Sequence, residues 1–267
     1  MLSQRALIDK IVAQFGQRNA SPSSLPMDPR LKLRHANYKN MSKNELDEIK
    51  KLPYHSLVGC PLYLSIGTRP DIMYSVQQLS QYLDCYSYAH WNAAIHVVRY
   101  LSGTRELKLR LGGTNQISLL GFTDSDWANC LDTRRSVGGH AYTLGSGIVS
   151  WQARNQKTVA ASSCEAEYTA AFEASKEGIW LHTLLNSIDH ATTAPATICC
   201  DNNTTINLSE DPCNRYRRSY PFPMLITFHY LAFVSHDSFL YLSAVVTCDN
   251  LSSSIFQTTT TYTLRQE

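Results

Sequence analysis

The sequence lacks a charge imbalance: 24 Lys and Arg against 22 Asp and Glu leave a net charge of +2. Global charge therefore argues neither for nor against a nucleic-acid partner. It also lacks any C-x-x-C pair. Its eight cysteines are scattered at 60, 85, 130, 164, 199, 200, 213 and 248, which reads as reduced thiols in an intracellular protein, not as a disulfide framework or a zinc site. No secretory pattern opens the chain, since residues 1–11 carry Gln, Arg, Asp and Lys throughout. Cytoplasm or nucleus is the expected location. Nor is any apolar run clean enough to span a bilayer. The best candidate, 223–247, is interrupted by Pro223, His229, His236 and Asp237, and a charge near the middle of a span costs on the order of 3 kcal/mol on insertion scales. A partly stranded tail is expected there, and no membrane partner.

What is present is the material of a folded core. The 267 residues are 43% hydrophobic and 17% charged, enough for one large domain or two small ones. Charge is local, with basic clusters at 30–34, 134–135 and 215–218.

Apolar residues at 7, 8, 11, 12 and 15 have helical spacing. Prolines and serines break the pattern over 21–29. A charged helix is expected over 41–52, with Ser42 and Glu45 at capping-box spacing. Two further helices are expected over 71–83, capped by Asp71, and over 91–101, where Trp91, Ala94, Ile95, Val98 and Leu101 form one stripe. From residue 117 the texture becomes strand-like. Segments 117–123, 139–144 and 148–152 read as strands, the last two joined by the turn Gly145-Ser146-Gly147. A long helix over about 163–188 follows, then a strand over 196–200 and a last helical stretch. The order β-β-β-α-β-α defines a mixed α/β domain.

Acids collect at the ends of these elements. The first strand runs into Asp124 and Asp126, the later one into Asp201, and the long helix opens with Glu165 and Glu167. At about 100° per residue, Glu167 shares a face with Ala170, Ala171, Ala174, Gly178, Leu181 and Leu185. That stripe of small residues lets a helix press close to a sheet. Glu165 points the other way. Asp124, Glu167 and Asp201 are thus candidates for one cluster, whose mutual repulsion a divalent ion with hard oxygen ligands, Mg²⁺ or Mn²⁺, would compensate. On spacing alone the commoner reading prevails, acids at strand ends as turn formers and caps.

Long collinear strings decide the matter by likeness. GTRPDI (67–72), HWNAAIHVVRYLSGT (90–104), GFTDSDWANCLDTRRSVGGHAY (121–142), VSWQARNQKTVAASSCEAEYTAA (149–171), KEGIWLHTLL (176–185) and CCDNNTTINL (199–208) resemble the C-terminal part of the Pol polyprotein of copia-type LTR retrotransposons. The resemblance implies four segments. Residues 1–60 are the remnant of the reverse transcriptase C-terminal region, 61–115 a helical connection, 116–212 an RNase H-like domain, and 213–267 a divergent tail without family match. It makes Asp124, Glu167 and Asp201 the catalytic, metal-holding acids, with Asp126 their neighbour. Arg134, Arg135 and Ser136 match a basic motif implied to meet backbone phosphates, although two arginines on a loop are as common as a solvated face. The polymerase's paired aspartates belong upstream, so polymerisation is not expected.

The implied activity is metal-dependent endonucleolytic hydrolysis of RNA in an RNA–DNA hybrid, with an upstream reverse transcriptase portion as a further partner. The implied fold is an RNase H-like mixed sheet flanked by helices, whose C-terminal strand and helix are expected to be missing. Past residue 212 the family's Lys-His-Ile-Asp segment, with its fourth acid, gives way to unrelated sequence. Impaired turnover follows from that loss, or an inactive remnant that at most binds nucleic acid.

Overall fold

Helical spacing in the first hundred residues becomes α1 (Arg5–Gln14), α2 (Lys43–Lys51), α3 (Tyr54–Gly67), α4 (Met73–Ser80) and α5 (Tyr88–Gly103). The computed structural model describes residues 1–112, 118–188 and 196–210, and, as backbone alone, 226–235, 238–244 and 260–263. The chain divides into two units, Met1–Leu111 with Cys130–Arg134, and Gly112–Asn129 with Arg135–Glu267.

In the first unit one apolar core takes Ile8 and Ile11 from α1, Ile49 from α2, Leu57 and Leu64 from α3, and Val97, Val98 and Leu101 from α5. Residues 1–60 and 61–111 contribute to that same core, and α3 runs through residue 60. Ser42 caps α2 as expected, its hydroxyl accepting the Glu45 N–H at 3.2 Å. Asp71 does not cap α4. It lies in a short 3-10 turn, Pro70–Ile72, ahead of that helix. The reason is Arg69, which is 2% exposed and takes the Asp71 carboxylate at 2.6 Å. The same guanidinium donates to the Thr104 carbonyl and hydroxyl at 3.2 and 2.6 Å, where α5 ends and carbonyls lack helical partners. A buried cation thus joins two helix junctions, with its charge paired.

The second unit is built on a sheet. Its strands are β1 (Leu119–Asp126), β2 (Val137–Leu144), β3 (Gly147–Asn155), β4 (Ala196–Cys200), β5 (Ile226–Ser235), β6 (Ser238–Ala244) and β7 (Thr260–Thr263). Its helices are α6 (Ser163–Ser187) and α7 (Asn203–Glu210). The sheet order is β3-β2-β1-β4-β5-β6-β7. β1 is parallel to β4 and β4 to β5; β1–β2 and β2–β3 are antiparallel. Between Leu144 and Gly147 the hairpin turns tightly at Gly145, whose φ of 61° suits a residue without Cβ. The unit is therefore mixed α/β.

One expectation needs correction. A strand does follow β4: residues 226–235 pair in parallel with it, and β6 and β7 extend the edge. The stretch considered as a membrane span is strand where described, and no helix among the described residues is long and apolar enough to cross a membrane. Among the described residues no helix follows α7.

The small-residue stripe of α6 lies against the sheet, with Ala171, Ala174 and Leu181 in a core shared with Leu119, Tyr142 and Ile198. Tyr142 locks the contact: its hydroxyl donates to the Ala174 carbonyl at 2.6 Å. Gly121 and Gly178 make the room, since a Cβ on either would meet the Tyr142 ring or hydroxyl. At Gly178 that Cβ would lie 2.7 Å from the hydroxyl oxygen, closer than packing tolerates. Gly178→Ala is expected to destabilise the protein by about 1–3 kcal/mol in urea unfolding. In a Tyr142→Phe background the cost should shrink, because the closest clash is gone and alanine's helix-propensity gain of up to about 1 kcal/mol offsets the remaining ring contact at 3.3 Å.

Candidate metal centre

The parallel register of β1 and β4 couples Leu120 to Thr197, Gly121 to Ile198 and Phe122 to Cys199. Continued by two residues, that register sets Asp124 beside Asp201. β1 does not stop before its acids, as the expected strand 117–123 did. It runs to Asp126, with Asp124 opposite Gly139 of β2 and Asp126 opposite Val137. The ladder to β2 carries it on, so Asp124 is held by strand backbone and not by a turn. Asp126 is the exposed last residue of β1.

The first turn of α6 separates its two glutamates. The Ser162 hydroxyl accepts the Glu165 N–H at 3.2 Å, and the Glu165 carboxylate accepts the Ala161 N–H at 2.8 Å. Glu165 is thus occupied in capping the helix. Glu167, two residues on, is 7% exposed, on the buried face with Ala170, Ala171 and Ala174. The helical-phase argument and the structure agree on which glutamate turns inward.

Donor atoms of Glu167, Cys200 and Asp201 lie within 4.8 Å of one another. Asp124 is outside that tight set, but its charge acts on both Glu167 and Asp201. Burial, then Asp124, then Asp201 push the Glu167 carboxyl up to about 8, against a hydrogen bond from the Ser125 N–H. Burial and Asp124 also raise Asp201. The Glu167 Oε2 atom is buried without a hydrogen-bond partner among the described residues. A carboxylate oxygen in that state needs a proton or a cation. Three oxygen-bearing acids fit a hard divalent ion such as Mg²⁺ or Mn²⁺.

Cys200 is the neighbour that sequence reasoning did not place at the site. Burial pushes its thiol up to about 12, so it stays protonated and is a poor ligand for a hard ion. Its adjacency to Asp201 was the only signal available.

Arg134 and Arg135 are exposed on the β1–β2 connection. Arg134 belongs to the first unit, while Arg135 and Ser136 belong to the second. Ser136 is 0% exposed, and its hydroxyl accepts the Ala128 N–H at 3.0 Å. It closes the loop from within, while both arginine side chains are exposed. The basic cluster at 215–218 lies outside the described residues.

The second unit thus defines a class: a mixed α/β fold in which Glu167 and Asp201 lie close together at one end of the sheet, within electrostatic reach of Asp124. No family model matches the chain. It is 35% identical over 253 residues to the retrovirus-related Pol polyprotein from transposon TNT 1-94 of Nicotiana tabacum, covering 93% of this chain and 18% of that protein. The Pol polyprotein from transposon RE2 of Arabidopsis thaliana is 32% identical over 256 residues, 95% of this chain and 17% of that one. Secreted RxLR effector protein 161 of Plasmopara viticola is 41% identical over 133 residues, half of this chain and 94% of that protein. The chain belongs to the copia-type retrotransposon Pol polyprotein family. It spans less than a fifth of the length of the transposon relatives.

A carboxyl raised to about 8 binds its proton more tightly when folded, so its contribution to stability is fully present below about 4.5 and lost as pH rises through about 8. In EDTA the melting temperature should therefore fall between pH 5 and 8, by at most about 1.4 kcal/mol of stability per pH unit from this group. Mg²⁺ or Mn²⁺ should restore it, and Glu167→Gln should flatten both responses.

Proposed function

We propose that the second unit is an RNase H-like domain that hydrolyses the RNA strand of an RNA–DNA hybrid with Mg²⁺ or Mn²⁺. The observation that carries the reading is the buried Glu167 oxygen, without a hydrogen-bond partner among the described residues, beside Asp201 and with Asp124 in electrostatic reach. Asp124, Glu167 and Asp201 would hold the metal. When bound, the divalent ion supplies Lewis acidity and lowers the pKa of a coordinated water. The chain's own part is rigidity: two strand ends and one helix turn present oxygens fixed by backbone. Hydrolysis of the phosphodiester adds water at phosphorus and breaks the bond to the 3′ oxygen, leaving 3′-hydroxyl and 5′-phosphate ends.

Substrate choice would rest on duplex shape and the RNA 2′-hydroxyl. Arg134 and Arg135 are proposed to contact backbone phosphates, a sequence-independent contribution. The upstream reverse transcriptase portion of a Pol polyprotein is the proposed partner in the longer chain.

The departure of the sequence after residue 212 from the Lys-His-Ile-Asp segment that the resemblance leads one to expect favours a second reading, nucleic-acid binding without turnover. One assay separates the two. A labelled RNA–DNA hybrid with Mg²⁺ or Mn²⁺ should lose its RNA strand to the purified chain, and Asp124→Asn should reduce the rate at least a hundredfold, as losing a group that stabilises the transition state does. Salt-sensitive binding without cleavage supports the second reading. Equal cleavage by the variant contradicts the first.

A further inference from the structure

Gln156 follows β3 and is 7% exposed. Its backbone N–H donates to the Ser136 carbonyl at 2.8 Å, which fixes where the side chain starts. From there Nε2 donates to the Ala166 carbonyl at 2.8 Å and reaches the Ser125 hydroxyl at 3.4 Å. Ala166 immediately precedes Glu167, and Ser125 immediately follows Asp124. One neutral side chain therefore touches the residue next to each of two repelling acids, on two different elements.

The bond to Ala166 is not needed to build the helix. That carbonyl lies inside α6 and already accepts the helical i+4 N–H, so Gln156 adds a second donor to a satisfied acceptor. What the extra bond adds is position, holding the first turn of α6 to the end of β1 against repulsion between Asp124 and Glu167. An amide suits the task. It donates without charge, whereas lysine would compete with a cation for the acids and glutamate would add to their repulsion. Its Oε1 is buried without a partner among the described residues, a cost that a residue serving packing alone would not need to bear.

We propose that Gln156 is a positioning residue, a clasp that sets the distance between Asp124 and Glu167 and so tunes cation affinity. This rests on reading the three acids as a cation site. The test is Mn²⁺ titration by calorimetry on the full chain, with hybrid and nucleotide absent, beside thermal unfolding in EDTA. Gln156→Met keeps length and apolar volume but removes both contacts; it should weaken Mn²⁺ binding about tenfold or more, the usual effect of losing a partner behind a metal ligand. Ser175→Ala is the control. It deletes a buried hydroxyl bonded to the Phe172 carbonyl, two turns further along α6, and should leave Mn²⁺ affinity unchanged. If Gln156→Met does not fold, Gln156→Asn, an amide one methylene shorter, is titrated in its place with the same expectation. Wild-type Mn²⁺ affinity in the folded Gln156 variant overturns the clasp alone. Absence of Mn²⁺ binding by the wild-type chain overturns the cation site and the clasp together.

Discussion

β1 and β4 are coupled by a short parallel ladder, Leu120–Thr197 to Phe122–Cys199, and on its register the rest of the site depends. Both strands carry an acid just beyond the ladder, so the register that buries Leu119 and Ile198 in one core also brings Asp124 and Asp201 together. A slip of one residue would turn every side chain of a strand to the opposite face. The hydrophobic pattern therefore fixes the electrostatic pattern. α6 completes the arrangement because its alanines and Gly178 let it sit close enough for Glu167 to reach the strand ends, with Tyr142 fastening the contact.

The cluster stores repulsion. Glu167 is raised by burial and by both aspartates, and such a group destabilises the charged, metal-free state. Folding tolerates this because the acids sit on elements anchored elsewhere: β1 in its ladder to β2, α6 through its cap at Ser162 and its apolar face. Rigid elements also limit how far the acids can move apart, which suits a hard ion that demands near-ideal geometry. Stability and ligand affinity are thus set against each other at one spot, as at many functional sites.

Much of this was legible in the sequence, for physical reasons. Helical phase alone separated Glu167 from Glu165, and the strand 196–200 was bounded as expected because a short apolar run stopped at Asp201. Periodicity failed where hydrophobicity is nearly uniform, even though burial is not. α3 was not expected because YHSLVGCPLYLSIG is apolar on most sides and contains Pro61, leaving no polar face to mark a period. β1 proved longer than expected, since its ladder to β2 outlasts the apolar run. Asp71 had the right spacing for a cap, but a buried arginine two residues away claimed it. Long-range contacts such as Cys200 with Glu167, or Gln156 with Ala166, have no local signature at all.

Asp124, Glu167 and Asp201 are proposed to form one divalent-cation site. Anomalous diffraction from a crystal of the chain grown with Mn²⁺ tests it most directly. A manganese peak within coordination distance of oxygens from all three acids is the predicted result. Ordered carboxylates with no peak between them, or manganese bound only elsewhere, would contradict the account.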